Sequence, residues 1–257
     1  DSVYISSSYR DSLVQWVMDT PTAERGKYVY SDMGMYLLMR VVEKVSGMPF
    51  DRFLKTQYYA PLGLTTLGYR PWERFPLERI MPTEDDTNFR HEQIHGDVHD
   101  PGAAMMGGIA GHAGLFSDAN DLAVIMQMLL NGGTYGGKRY LKAKTINAFT
   151  TCHFCTGHPK TDNRRGLGWD RPQERGTPGP SSDNASKESF GHTGFTGTMV
   201  WADPANGTVY VFLSNRVYPD ANNKKLAHMD IRTKIQSVVE RAAAEPISLV
   251  EPVQHQN

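Results

Sequence analysis

Cysteine is scarce in this chain. Cys152 and Cys155 are the only two among 257 residues, too few for a disulfide framework. No apolar run approaches the roughly 20 residues of a membrane-spanning helix. No signal-peptide pattern follows Asp1, and a mature chain would lack one too, so the compartment stays open. Neither sign of charge dominates, with 27 Lys+Arg against 28 Asp+Glu and a net charge of -1. That balance gives no bulk attraction to nucleic acid or an anionic membrane. There is no G-x-x-x-x-G-K-[ST] pattern and no Rossmann order, which argues against nucleotide binding.

What is there suffices for a core: 39% of the residues are hydrophobic, enough for one domain or two closely joined layers. Within residues 6–20, Tyr9, Leu13, Trp16 and Val17 recur at helical spacing and predict a short amphipathic helix. Residues 21–27 interrupt the pattern. Met35, Leu38, Val42 and Val45 then predict a second helix with a core-facing stripe, closed by Ser46-Gly47. A third helix is expected over 49–59, with Phe50, Phe53, Leu54 and Tyr58 on one side, before Pro61-Leu62-Gly63 ends it.

Between Arg70 and Met106 no period is visible, and a connection that long reads as a functional loop or a lid. The glycine-rich run from Gly107 to Ser117 is suited to close backbone approach, and Ser117 or Asp118 can cap a helix through Leu130 that buries Leu122, Ile125, Met126 and Leu129. With a further helix at 142–149, residues 1–150 form a mainly helical region.

Residues 151–257 carry the sheet. Gly166–Asp170 looks like a first strand, and 171–187 is an exposed Pro/Gly/Ser-rich loop. Ser189–Pro204 reads as one β segment, turned at Asn206-Gly207 into a second run, Thr208–Ser214, which makes an antiparallel hairpin. Val209–Leu213 does not alternate and should be covered on both faces. A helix over 229–244 presents Ile231, Ile235, Val238 and Ala242 as a stripe expected to lie against the sheet, stopped by Pro246, with a polar tail after Leu249. The fold class is α+β, one integrated domain.

Four places carry chemistry. His192-Thr193-Gly194 sets a basic group, a hydroxyl and a glycine in sequence at a strand start. Tyr30 and Asp32 sit at the entry to the second helix, where Ser31 or Asp32 can cap. Asn215-Arg216 is a polar pair at a strand end. His91, His95, Asp97, His99 and Asp100 could suggest a metal, as could Cys152, His153, Cys155 and His158. The first group follows no ligand motif, and the second is cramped for a tetrahedral site, so solvated or loop-tying histidines and either free thiols or a local disulfide are the preferred readings.

Tyr30-Ser31-Asp32, Gly111-His112-Ala113-Gly114-Leu115-Phe116-Ser117, His192-Thr193-Gly194 and Leu213-Ser214-Asn215-Arg216-Val217, in that order and followed by a C-terminal helix, resemble the class C β-lactamase and penicillin-binding serine hydrolases. The resemblance covers nearly the whole chain and is nearest to the β-lactamase-like modules that follow a family-three glycoside hydrolase domain. It implies an antiparallel sheet flanked by helices beside an all-helical region, with the site in the cleft between them. Three elements meet there in the family: a Ser-x-x-Lys, a Tyr-x-Asn, and a Lys-Thr-Gly or His-Thr-Gly.

Carried over, Tyr30 takes part in proton transfer and Asp32 occupies the asparagine position. His192 supplies the basic group, and the Phe195 N–H serves as an oxyanion donor. Thr193, Gly194, His112, Asn215 and Arg216 line the substrate. The resemblance implies no cofactor and no metal, a small-molecule or peptide substrate, and an extracytoplasmic location in a bacterial periplasm or envelope.

Two departures stand out. Asp32 accepts but does not donate where an asparagine would do both. No serine has a lysine three residues on, and no Gly-x-Ser-x-Gly exists. The expectation is a chain that begins after its nucleophile, lacking the family's first strands and nucleophile helix. An exposed sheet edge would then be covered by the missing segment or by self-association. The alternatives are a non-catalytic module that binds cell-wall peptide and a metal-dependent hydrolase.

Overall fold

The computed structural model describes residues 5–6, 8–22, 28–153, 155 and 164–244. The helical part opens with α1 (Tyr9–Asp19), α2 (Met33–Ser46) and α3 (Phe50–Leu54), the last running into one π-helical turn, Lys55–Tyr59. Gly47, in the left-handed region at φ 68°, closes α2 by donating its N–H to the Glu43 carbonyl.

The stretch from Arg70 to Met106 is ordered locally, not a bare loop. It holds two 3-10 turns, the antiparallel pair β1 (Pro82–Asp86) and β2 (Glu92–His95), and α4 (Pro101–Met105). Its polar residues satisfy one another, which hides the pattern from a hydrophobic-period search. The Asp86 carboxylate accepts from the N–H groups of Asn88, Phe89 and Arg90 and from Arg90 Nε. Arg90 then fixes the following segment through the carbonyls of Val98 (2.7 Å) and His99 (2.9 Å).

Helix α5 (Ala119–Leu130) begins at Asp118, whose side chain accepts from the Asp121 N–H at 2.8 Å. It packs on the sheet through Met126, which clusters with Phe190 and Ala202. A small ribbon, β3 (Thr134–Tyr135) with β4 (Lys138–Arg139), and α6 (Ala143–Thr150) follow.

The sheet has three antiparallel strands in the order β5 (Phe190–Thr193), β6 (Met199–Asp203), β7 (Thr208–Phe212). The span from Ser189 to Pro204, expected as one strand, is folded back on itself as β5 and β6. Gly197 at φ 112° allows the reversal, and the Gly194 N–H closes it onto the Thr198 carbonyl at 2.8 Å. The expected hairpin with the Thr208 run is therefore β6 with β7. The 166–170 strand reduces to bridges that pair Arg165 with Asp170 and Asp170 with Gly191. Behind the sheet lie α7 (Lys225–His228) and α8 (Ile231–Ala244). Pro246 and the tail lie outside the described residues.

Three apolar stripes are only partly covered: Leu13, Val17, Met35, Val42 and Ile231 are half-buried, and the rest of each stripe faces solvent. On α2 only Met39 is buried, while Leu38 and Val45 are 55% and 82% exposed. On α1 the buried residue is Val14 and Trp16 is exposed; on α8 the buried residues are Gln236 and Glu240, with Ile235 and Val238 exposed. Polar bonding explains the buried polar pair on α8. Gln236 Oε1 accepts from the Ser182 N–H at 2.9 Å, and Glu240 takes the Ser182 hydroxyl and the Gln236 amide. Among the described residues no helix is long and apolar enough to cross a membrane.

Candidate active site

The site forms where the entry to α2 meets the start of the sheet. Tyr30 immediately precedes α2, and the Ser31 hydroxyl, not the Asp32 carboxylate, accepts from the Met33 N–H (3.2 Å). His192 sits on β5, opposite Val200 in register. Gly191 beside it is required by packing, because a Cβ there would strike the Trp201 ring and the Val200 carbonyl. The Tyr30 and His192 rings lie 6.4 Å apart at 32°. Tyr30 is 60% exposed and the His192 side chain 30%, so the pair is open to solvent.

Two residues that the sequence reading missed complete this centre. Arg165 Nη1 is paired with Asp170 Oδ1 at 2.6 Å, its Nη2 donates to His192 Nε2 at 2.7 Å, and its guanidinium lies 5.2 Å from the Tyr30 ring centroid. Both partners are nearly buried, with side chains 13% and 12% exposed. A signal was present: Arg165 and Asp170 flank the tight Gly166-Leu167-Gly168 turn, where opposite charges meet across antiparallel backbone.

Burial raises the Tyr30 pKa above its ordinary value, with Asp32 adding to the shift and Arg165 opposing it. The phenol therefore rests protonated at neutral pH. Asp32 is exposed, and its carboxylate, that of Asp100 and the His112 imidazole each bring an atom within 4.8 Å of the others. These groups could hold a cation. Yet Asp100 Oδ1 already accepts from His112 Nε2 (2.8 Å) and the Ala103 N–H (2.7 Å), so the cluster is partly satisfied from within. Burial with the charges of Asp100 and Asp32 pushes Tyr36, stacked on His112 at 4.3 Å, up to about 12.

Three of the expected substrate-lining residues already have partners within the fold. The His112 side chain is 3% exposed; its Nε2 bonds Asp100 at the start of α4 and its ring stacks on Tyr36 of α2, which braces the glycine-rich loop against both, while its buried Nδ1 has no hydrogen-bond partner among the described residues. Gly111 permits that brace, since a Cβ there would collide with the Met35 carbonyl. Asn215 Nδ2 donates to the carbonyls of Pro82 (2.5 Å) and Thr83 (3.1 Å), which makes it a tie between the sheet and β1. Arg216 donates to the carbonyls of Phe195, Ala221 and Asn223.

Thr193 and Gly194 continue from His192 into the turn, and the Thr193 carbonyl accepts from His192 Nδ1 at 2.8 Å. The Phe195 N–H meets no backbone acceptor among the described residues. Its ring is held between His99 (5.0 Å) and the Arg216 guanidinium (4.3 Å).

The suspected metal clusters come apart. His95 Nε2 bonds the Ile80 carbonyl and His99 faces Glu84, while Trp72 Nε1 donates to Asp97. Cys152 and Cys155 form a disulfide, which decides between the thiol and disulfide readings. His158 lies outside the described residues.

A β-lactamase family model matches residues 6–232. The chain belongs to the β-lactamase family. An Escherichia coli (strain K12) protein provisionally named a D-alanyl-D-alanine carboxypeptidase is 41% identical over 217 residues, which is 79% of this chain and 48% of that protein. A Salmonella enteritidis protein with the same name is 36% identical over 235 residues, 86% of this chain and 53% of its own length. The chain thus spans about half the length of the curated relatives it matches.

Among solved structures, a β-lactamase from Mycobacterium bovis superposes with a TM-score of 0.58 at 23% identity, covering 88% of this chain and 69% of its own. A penicillin-binding protein homologue from Caulobacter crescentus gives 0.54 at 20% identity, covering 83% and 61%. At these identities the likeness is one of fold, and it establishes the β-lactamase-like α+β architecture.

Proposed function

We propose that this chain carries the tyrosine loop and histidine strand of a serine hydrolase that acylates and deacylates on a β-lactam, a D-Ala-D-Ala-type peptide or a small ester. The carrying observation is the meeting of Tyr30, His192 and Arg165 at one partly exposed place. In that reading Tyr30 relays a proton: its phenolic O–H gives its proton to the leaving group as the same oxygen takes the proton of the attacking hydroxyl. The Phe195 N–H faces the developing oxyanion, where one such donor is worth about 3 kcal/mol of transition-state stabilisation.

The serine comes from a segment outside these 257 residues, since no Ser-x-x-Lys occurs among them. Support for such a segment is the outward apolar faces of α2 and α8, the unpaired outer edge of β7 among the described residues, and relatives about twice as long. The chain alone is then inactive and self-associates through the same faces. An extracytoplasmic location fits the Cys152–Cys155 disulfide and the names of the relatives.

The deciding experiment exposes the full-length protein to a fluorescent penicillin and to a fluorophosphonate. Covalent labelling by either is expected, and silence from both overturns the reading. A second reading, a module that binds cell-wall peptide without turnover, is favoured by the missing Ser-x-x-Lys. It predicts muropeptide binding by a full-length protein whose serine stays unlabelled.

A further inference from the structure

His192 has two ring nitrogens, and each has a partner whose chemistry is fixed. A carbonyl can only accept, so the 2.8 Å contact from Nδ1 to the Thr193 oxygen requires a proton on Nδ1. A guanidinium can only donate, so the 2.7 Å contact between Arg165 Nη2 and Nε2 requires a lone pair on Nε2. Those two constraints select one neutral tautomer. The competing partner for Nε2 is Asp170 Oδ2 at 4.0 Å, beyond hydrogen-bonding range, and that carboxylate is already paired with Arg165 Nη1 at 2.6 Å. The planar fork of Arg165 spans Asp170 on one side and His192 on the other, a geometry that an ammonium cannot reproduce.

We propose that Arg165, tethered to Asp170, is a positioning residue that locks His192 as its Nδ1–H tautomer and supplies the permanent positive charge of the site. The inference rests on the functional reading above and deepens it. The basic group carried by the strand is then a hydrogen-bond acceptor already engaged, and the cation that the site offers an anionic substrate or transition state is a guanidinium. Its position 5.2 Å from the Tyr30 centroid puts that charge beside the phenol as well. Asp170 reaches the site because its backbone pairs with Gly191, next to His192, so the dyad is fastened to the strand that it serves.

The test is a long-range nitrogen–proton correlation spectrum of the chain labelled with 15N at histidine, at about neutral pH, with His192 assigned through H192Q. Expected is one protonated nitrogen, Nδ1, and one bare nitrogen, Nε2. In R165Q both signals move toward the averaged positions of an exchanging ring, and R165K and D170N move them the same way. R164Q leaves them in place, because Arg164 Nε bonds the Pro172 carbonyl instead.

Should R165Q not fold, R165K and D170N carry the measurement. A wild-type His192 that is averaged or protonated on Nε2 overturns the proposal, as do folded Arg165 variants with unmoved signals. The spectrum needs no turnover, so failure of penicillin labelling would remove the functional reading and leave the tautomer lock standing.

Discussion

The phenol ring of Tyr30 lies 6.4 Å from the imidazole of His192, although 162 positions separate them in the sequence. Replacing Tyr30 by Phe removes the proton carrier and keeps the ring. With 60% of the residue exposed, the fold should be unaffected within about 0.5 kcal/mol. The rate of penicillin labelling of the full-length protein should fall by about 10²–10⁴-fold. An unchanged labelling rate would deny Tyr30 that role.

Asn215 makes the tie between the sheet and the β1–β2 hairpin, with both amide hydrogens on β1 carbonyls and its Oδ1 accepting from the Val217 N–H at 3.2 Å. Asn215→Ala leaves those partners unpaired in a half-buried place and should cost about 1–3 kcal/mol. Urea denaturation measures the loss. Hydrogen exchange should locate it in residues 82–95, whereas protection lost evenly over the chain would show that Asn215 is no such tie.

Legibility of this molecule divides along physical lines. The strand at His192, the helix entry at Tyr30 and the cap at Asp118 were readable, because turn residues, caps and short-range alternation act locally. The direction of the α1, α2 and α8 stripes was not, since an amphipathic pattern says that a face is apolar and leaves open what covers it. Arg165 and Asp170 escaped notice because their partner His192 is distant in sequence. The 70–106 stretch was opaque for another reason: its order rests on carboxylate and guanidinium bonds, to which hydrophobic periodicity is blind.

Asp86 gives that stretch a pH dependence. Burial alone would raise its pKa, but the N–H of Phe89, the Arg90 guanidinium and the N–H groups of Asn88 and Arg90 outweigh it and hold the carboxyl well below the usual range. A depressed folded-state pKa means that its stabilisation is complete above the unfolded value of about 3.9 and is lost as pH falls toward the folded one. The urea midpoint of the wild type should drop on acidification below about pH 4. Asp86→Asn should be less stable at neutral pH and show a shallower acid loss, and an identical acid slope in the two proteins would assign the loss to other carboxyls.

The outward stripe of α2 supplies the test of what covers it. Leu38, Val41 and Val45, at 55%, 53% and 82% exposure, contribute little to the fold of this chain, because apolar surface still in water has not been transferred from it. A triple change to serine should therefore leave the urea midpoint within about 0.5 kcal/mol of wild type. It should also convert an associating chain into a monomer by sedimentation velocity. In the full-length protein the same change should be strongly destabilising, because there the stripe is predicted to be a packed interface. A monomeric wild-type chain, or a full-length protein indifferent to the triple change, would show that water is the native neighbour of this face and that the serine-bearing segment docks elsewhere.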